Sequence, residues 1–206
     1  MDTLRAAETA PGTRDDEQDP ALRAERELIE LARLGDRDAF GRLMQAHLPR
    51  VWNVVWRIVR HEQDAEDIVQ ESFLAAFRAL PAFRGESRFS TWLHRIAVTR
   101  ALNHLDRKAE RVGRSSVPLD GPAAPPVRDG APTPLQSLER KELLRRLAEC
   151  LPKLPPAWRA TLALRDGDSL SYEHIADVLS LNVGTVRSRL ARARAALRKC
   201  VDGEAA

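Results

Sequence analysis

Between Gly184 and Lys199 the chain carries Arg187, Arg189, Arg192, Arg194, Arg198 and Lys199, and no acidic residue interrupts the run. An arginine guanidinium grips phosphate or pairs bidentately with guanine in the major groove, and Ser or Thr hydroxyls serve either phosphate or base. At about 100° per residue on a helix, Thr185, Ser188, Arg192 and Lys199 fall on one face, flanked by Arg187, Arg189, Arg194 and Arg198. Val186, Leu190, Ala193 and Leu197 recur at intervals of four, three and four residues and share the opposite, inward face. A merely solvated face would be expected to interleave glutamate with its arginines. The pattern points instead to duplex DNA.

Two further clusters carry chemistry. Asp64, Glu66, Asp67, Gln70 and Glu71 lie around the exposed side of a helix, with His61 and Glu62 just upstream. Acids in a first turn complement the helix dipole, so simple stabilisation competes with a binding role. The spacing matches no metal motif such as HExxH. From Phe83 to Arg114, the basic residues Arg84, Arg88, Arg95, Arg100, Arg107, Lys108, Arg111 and Arg114 are mixed with Phe83, Phe89, Trp92 and His94. Cations among rings can track and stack on a single strand. The same composition also fits core aromatics beside solvated arginines, and Trp92 and Leu93 suit a core.

The elements that must position these residues read as helices throughout, an all-α chain of two small domains. Ser171 suits an N-cap, Ile175, Ala176 and Leu179 form an apolar stripe, and Ser180 to Asn182 break the pattern before the arginine-bearing helix: a helix-turn-helix. Upstream, apolar residues from Leu28 to Val59 keep helical period, broken near Gly35 and bent or restarted near Pro49. A stripe of Ile68, Val69, Phe73, Ala76, Phe77 and Leu80 ends at Pro81, and another helix follows with Ser90 or Thr91 as its cap. Six prolines and three glycines between Val112 and Ser137 mark a flexible linker that transmits no geometry beyond its reach. The divisions are a disordered acidic tail over 1–21, a helical domain over 22–111, the linker over 112–137 and a second helical domain over 138–202.

Of 206 residues 43% are hydrophobic, and a net charge of +3 conceals an acidic N-terminus and two basic concentrations. No apolar run approaches a membrane span of roughly 18 residues, and no signal-peptide order is present, so the expected place is the cytosol. Cys150 and Cys200 lack a CxxC partner and read as buried small apolar groups rather than a zinc site or redox pair.

The motifs DAEDIVQESFLAAFRAL, FRGESRFSTWLHRIAVTRALNHLDRK and LPPAWRATLALRDGDSLSYEHIADVLSLNVGTVRSRLARARAALRK together resemble the extracytoplasmic-function (ECF) group of bacterial RNA polymerase sigma factors. The resemblance implies a region 2 helical bundle and a region 4 helix-turn-helix. Carried over by motif, Asp64, Asp67, Gln70 and Glu71 would bind the polymerase core. Arg84, Gly85, Glu86, Ser87, Arg88 and Phe89 would hold a flipped −10 base, beside Thr99 and Asn103. Thr185, Arg187, Ser188, Arg189 and Arg192 would meet the −35 duplex. Implied partners are RNA polymerase core (β′ clamp and β flap), promoter DNA and an anti-sigma factor, with no cofactor, no metal, no membrane insertion and no catalysis of its own. Thr99 replaces a common asparagine, Ser180 a turn glycine, His174 a capping-box glutamate, and Ala191 is smaller than the bulky side chain of some relatives. A stand-alone helix-turn-helix regulator is the alternative, and a metal-dependent nuclease using His61 to Glu71 a distant third.

Overall fold

The computed structural model describes residues 19–112 and 134–203. The expected disorder of the acidic tail and most of the expected linker lie outside the described residues, among which there is no strand.

The first domain contains α1 (Pro20–Arg33), α2 (Arg37–Val59), α3 (Glu62–Ala79) and α4 (Phe89–Val112). The Asp19 carboxylate accepts from the Ala21 amide at 2.9 Å and Pro20 opens the first turn of α1, where a missing N–H costs nothing. Asp36 caps α2 by accepting from the Asp38 and Ala39 amides at 2.9 and 3.0 Å. Pro49 neither ends nor restarts α2, which runs for 23 residues. Leu43, Val51, Val54, Val55 and Ile58 of α2 close with Ile68 and Phe73 of α3 and Leu93 and Val98 of α4 into one core. Since α4 begins at Phe89, Ser90 and Thr91 fall inside its first turn instead of capping it, and Thr91 is buried.

The second domain contains α5 (Pro134–Cys150), α6 (Pro156–Leu162), a π-type turn over Ala163–Gly167, α7 (Tyr172–Leu179) and α8 (Val183–Asp202). Its helical backbone therefore starts at Pro134, four residues ahead of the expected boundary. Leu164, Ile175, Val178, Val186, Leu190 and Ala193 form its core. Cys150 and Cys200 are joined in a disulfide with Cα atoms 5.9 Å apart, which corrects their reading as unpaired apolar groups. A separation of 50 residues carries no pairing signal of its own; the return of α8 to the end of α5 brings the two together.

The two domains are in contact. Helix α4 packs on α7, and α2 on α6 and the π-type turn. Across this contact the Arg95 guanidinium donates to the Asp177 carbonyl at 2.6 and 3.1 Å. The Asp168 carboxylate lies 3.3 Å from His94 Nε2 and 4.0 Å from Arg50 Nε. His94 is 1% exposed and neither ring nitrogen has a hydrogen-bond partner among the described residues. Burial lowers its pKa despite the neighbouring Asp168.

Candidate nucleic-acid and polymerase interface

Helix α8 is held from below and open above. The Asn182 side chain caps it, accepting from the Thr185 amide at 2.7 Å and from the Thr185 hydroxyl at 2.8 Å, so Thr185 serves the cap and is half-buried. Val186, Leu190 and Ala193 are buried as the periodicity required, and Leu197 packs against them. On the outer face Arg187, Ser188 and Arg192 are exposed and Arg189 is half-buried. No salt bridge reaches Arg187 or Arg192 among the described residues, whereas Arg194 pairs with Asp166 at 2.6 Å. The turn between α7 and α8 places Ser180 at φ 53°, the left-handed region where glycine is unstrained. His174 keeps half of a capping box: its amide donates to Ser171 Oγ at 3.2 Å, and its Nδ1 meets the same hydroxyl at 3.1 Å rather than the Ser171 amide.

The segment from Arg84 to Phe89 is a loop standing on rings. Phe83 and Phe89, both buried, lie 6.0 Å apart edge to face, and the half-buried Trp92 completes a triad at 5.0 and 5.6 Å. His47 adds an edge contact to Phe89 at 5.2 Å and reaches Glu25 of α1 at 2.7 Å. These rings form the loop's base, so Phe89, 3% exposed, supports the loop instead of presenting itself to a base. Above them Arg84, Gly85, Glu86 and Arg88 are exposed and Ser87 half-buried, with Gly85 at φ 72° making the sharp turn. A cleft of about 560 Å³ separates the loop from Leu22, Glu25, Arg26, Ile29, Glu30 and Arg33 of α1. Thr99 and Asn103 are exposed one helical turn apart on α4.

The acidic helix α3 divides its side chains between two directions. Asp64 faces α4, where its carboxylate accepts from Lys108 Nζ at 2.8 Å and lies 3.2 Å from His104 Nε2. Burial pushes this carboxyl up, but the hydrogen bond and charge of Lys108, with His104, outweigh it and hold it below its usual value. Asp64 is thus an internal tie between α3 and α4, not the outward contact expected of it. Glu71 pairs with Arg100 at 3.0 Å at the surface, and Asp67 and Gln70 are exposed, Asp67 with no salt bridge among the described residues.

Beside Gln70 lies a feature that charge-based reasoning overlooked: an apolar groove of about 500 Å³ between α2 and α3, lined by Phe40, Met44, Trp52, Phe73 and Phe77, with Glu66 and Gln70 on its rim. Leu48 and Leu74 edge it with 41% and 50% exposure. The available signal was Leu74 itself, an apolar residue one turn beyond Gln70 on the polar side of α3. Among the described residues no group of three or more His, Cys, Asp or Glu could hold a metal ion, and no helix is long and apolar enough to cross a membrane.

Residues 43–111 match the family described as Sigma-70 region 2, and residues 144–197 the family described as Sigma-70, region 4. Those two modules in that order define a sigma-type transcription factor, a promoter-reading subunit of RNA polymerase. The chain is 37% identical over 184 residues to the RNA polymerase sigma-H factor of Pseudomonas aeruginosa, covering 86% of this chain and 94% of that one. It is 37% identical over 171 residues to the ECF RNA polymerase sigma-E factor of Haemophilus influenzae, covering 81% and 89%. The solved structure of CnrH in complex with the cytosolic domain of CnrY superimposes with a TM-score of 0.64 at 28% identity, covering 88% of this chain and 99% of that one. The chain belongs to the extracytoplasmic-function family of RNA polymerase sigma factors. It directs promoter-specific transcription initiation, with the polymerase core and promoter DNA as its partners.

Proposed function

We propose a division of labour among the three surfaces. Helix α8 meets the −35 duplex through Arg187, Ser188 and Arg192, with Arg189 and Thr185 at the edge. The 84–88 loop, standing on Phe83, Phe89 and Trp92, holds an extruded −10 base, and Thr99 and Asn103 touch the strand beside it. Extrusion costs stacking and pairing, which a fitted pocket and nearby cations offset. Asp67, Gln70 and Glu71, next to the apolar groove, dock on the polymerase clamp, while Asp64 and Phe89 act from within by fixing helix and loop. The observation that carries this reading is the exposure of Arg187 and Arg192 on the outer face of α8 with no salt bridge to either among the described residues, which leaves both guanidinium groups available to neutralise phosphate.

The chemistry of strand synthesis stays with the polymerase, and the chain works in the cytosol. An anti-sigma factor is a further partner in this reading, and the similar CnrH was solved in complex with a protein partner, the cytosolic domain of CnrY. The decisive experiment is run-off transcription with core polymerase, with and without this chain, on a promoter whose −10 and −35 elements are substituted in turn. Initiation should require the chain and fall with either element. Tight operator binding by the purified chain, without dependence on core enzyme, would favour a stand-alone regulator.

A further inference from the structure

The disulfide is the feature that promoter recognition does not explain. A chain that works with RNA polymerase in the cytosol meets a thiol pool that keeps cysteines reduced, and disulfides there are mostly transient, catalytic or redox-sensing. Its position is specific. Cys150 is the last residue of α5, and Cys200 lies in the last turn of α8, the same helix that carries Arg187 and Arg192.

The described side chains of α5 are mostly at the surface. Between Arg140 and Cys150 the only buried side chain is Cys150 itself, and Leu143 and Leu144 are 48% and 43% exposed. The charged residues satisfy one another along the helix, Glu142 with Arg145 at 2.7 Å and with Arg146 at 2.9 Å, and Arg145 also with Glu149. Pairs of that kind stabilise a helix without tying it to anything. Besides the sulfur bridge, Arg140, Glu142, Leu147 and Ala148 are half-buried, and Arg60 donates to the Ala148 carbonyl at a long 3.5 Å.

We propose that Cys150 and Cys200 form a redox modification site, closed by a hydroperoxide and opened by a dithiol, which decides whether α5 is fixed to the DNA-reading helix. Cys150 is buried and Cys200 half-buried, so reagents arrive at Cys200. In closing, the Cys200 thiolate attacks the hydroperoxide and becomes a sulfenic acid, releasing an alcohol (water, for hydrogen peroxide). The Cys150 thiol then displaces water from it; two thiols lose two protons and two electrons, which the peroxide bond accepts. In opening, one thiolate of the dithiol attacks the Cys200 sulfur and releases the Cys150 thiolate. The second thiol of the reductant resolves the mixed disulfide and leaves the reductant oxidised.

The mechanical consequence concerns reach. Helix α5 spans 17 residues, a rod of about 25 Å, and continues directly from the segment that joins the two promoter-reading domains. With the bridge closed, the C-terminal end of α5 is fixed beside the end of α8. With the bridge open, the rod is free to swing about that end. The inference rests on the cytosolic, polymerase-bound role proposed above.

The test uses the full-length chain with hydrogen peroxide as oxidant and dithiothreitol as reductant. Thiols are counted by alkylation and mass, and amide hydrogen exchange is followed over residues 140–150. Peroxide should remove both alkylatable thiols and dithiothreitol should restore them. Exchange across 140–150 should be about tenfold faster in the reduced protein, with 183–193 unchanged. In Cys200→Ser the exchange should be fast under both conditions. Thiols that remain alkylatable after peroxide, or equal exchange in the two states of the wild-type chain, would overturn the proposal. So would a redox difference that persists in Cys200→Ser. The wild-type comparison needs no variant to fold, and neither readout needs polymerase or promoter, so its failure is separable from failure of the transcriptional assignments.

Discussion

The α8 face and the 84–88 loop are the two arginine-bearing surfaces proposed to meet DNA, but they are built in opposite ways. Helix α8 is a continuous rod on an apolar spine of Val186, Leu190 and Ala193, and Arg187 and Arg192 project from it with no salt bridge among the described residues, while Arg194 pairs with Asp166. The loop has no internal periodicity; its shape comes from rings beneath it and from a glycine at φ 72°, and its own charges meet, Arg84 lying 4.0 Å from Glu86. Duplex DNA is itself periodic, so a rigid rod can match it. A base turned out of its stack has no period to match, and a shaped loop on a hard base suits it better. Regularity is thus placed where the target is regular.

The sharpest way to break the contrast is Phe89→Ala, which removes the 3% exposed ring joining Phe83, Trp92 and His47. Truncation of a buried phenylalanine costs about 3–5 kcal/mol, and denaturant titration should show that loss together with loss of −10 preference. A well-folded variant with normal −10 preference would show that the rings do not shape the loop. Next in size is Arg192→Ala. An arginine contact to a base edge is worth about 1–3 kcal/mol and its loss should relax one −35 position. A contact to phosphate should instead lower the slope of log affinity against log salt by about 0.9. Holoenzyme binding on native and −35-substituted promoters separates the two, and unchanged affinity and slope on all of them would remove Arg192 from the reading face.

Ser180→Gly should be a gain. Relief of a left-handed serine at φ 53° is worth up to about 1 kcal/mol. The melting temperature of the second domain should rise while both promoter preferences stay fixed; a fall would mean the serine hydroxyl holds the turn. The smallest effect concerns Asp64, whose carboxyl is held below its usual value of 3.8. A group depressed on folding contributes stability above its unfolded pKa and loses it as pH falls through the folded value. Asp64→Asn should therefore be less stable near neutrality and show a flatter acid limb below about pH 4. Superimposable pH profiles for the two proteins would show that the Lys108 and His104 contacts carry no net stability.

Periodicity made much of this visible in advance. The inward stripe of α8, the Ser171 cap and the turn at Ser180 follow from local rules, and the structure has each of them. Asp64 shows where such rules stop. Helical spacing grouped it with Asp67 and Gln70 on one arc, but only the tertiary approach of α4, bringing Lys108 to 2.8 Å, turns it inward. Phe89 is similar, since composition alone cannot say whether a ring among arginines stacks on a base or on another ring. The disulfide and the apolar groove depend on which helices become neighbours, information that no local pattern contains.

The packing of α4 on α7 has a consequence for span. Elements centred near −10 and −35 stand about 25 base pairs apart, roughly 85 Å of duplex at about 3.4 Å per pair. A compact chain of 206 residues has a radius of gyration near 17 Å. While Arg95 is bonded to the Asp177 carbonyl at 2.6 Å, the two readers are too close together to be seated at once. Linked sites gain avidity only when geometry lets both engage. On the proposed assignment of the two reading surfaces, each would engage promoter DNA alone while this contact holds.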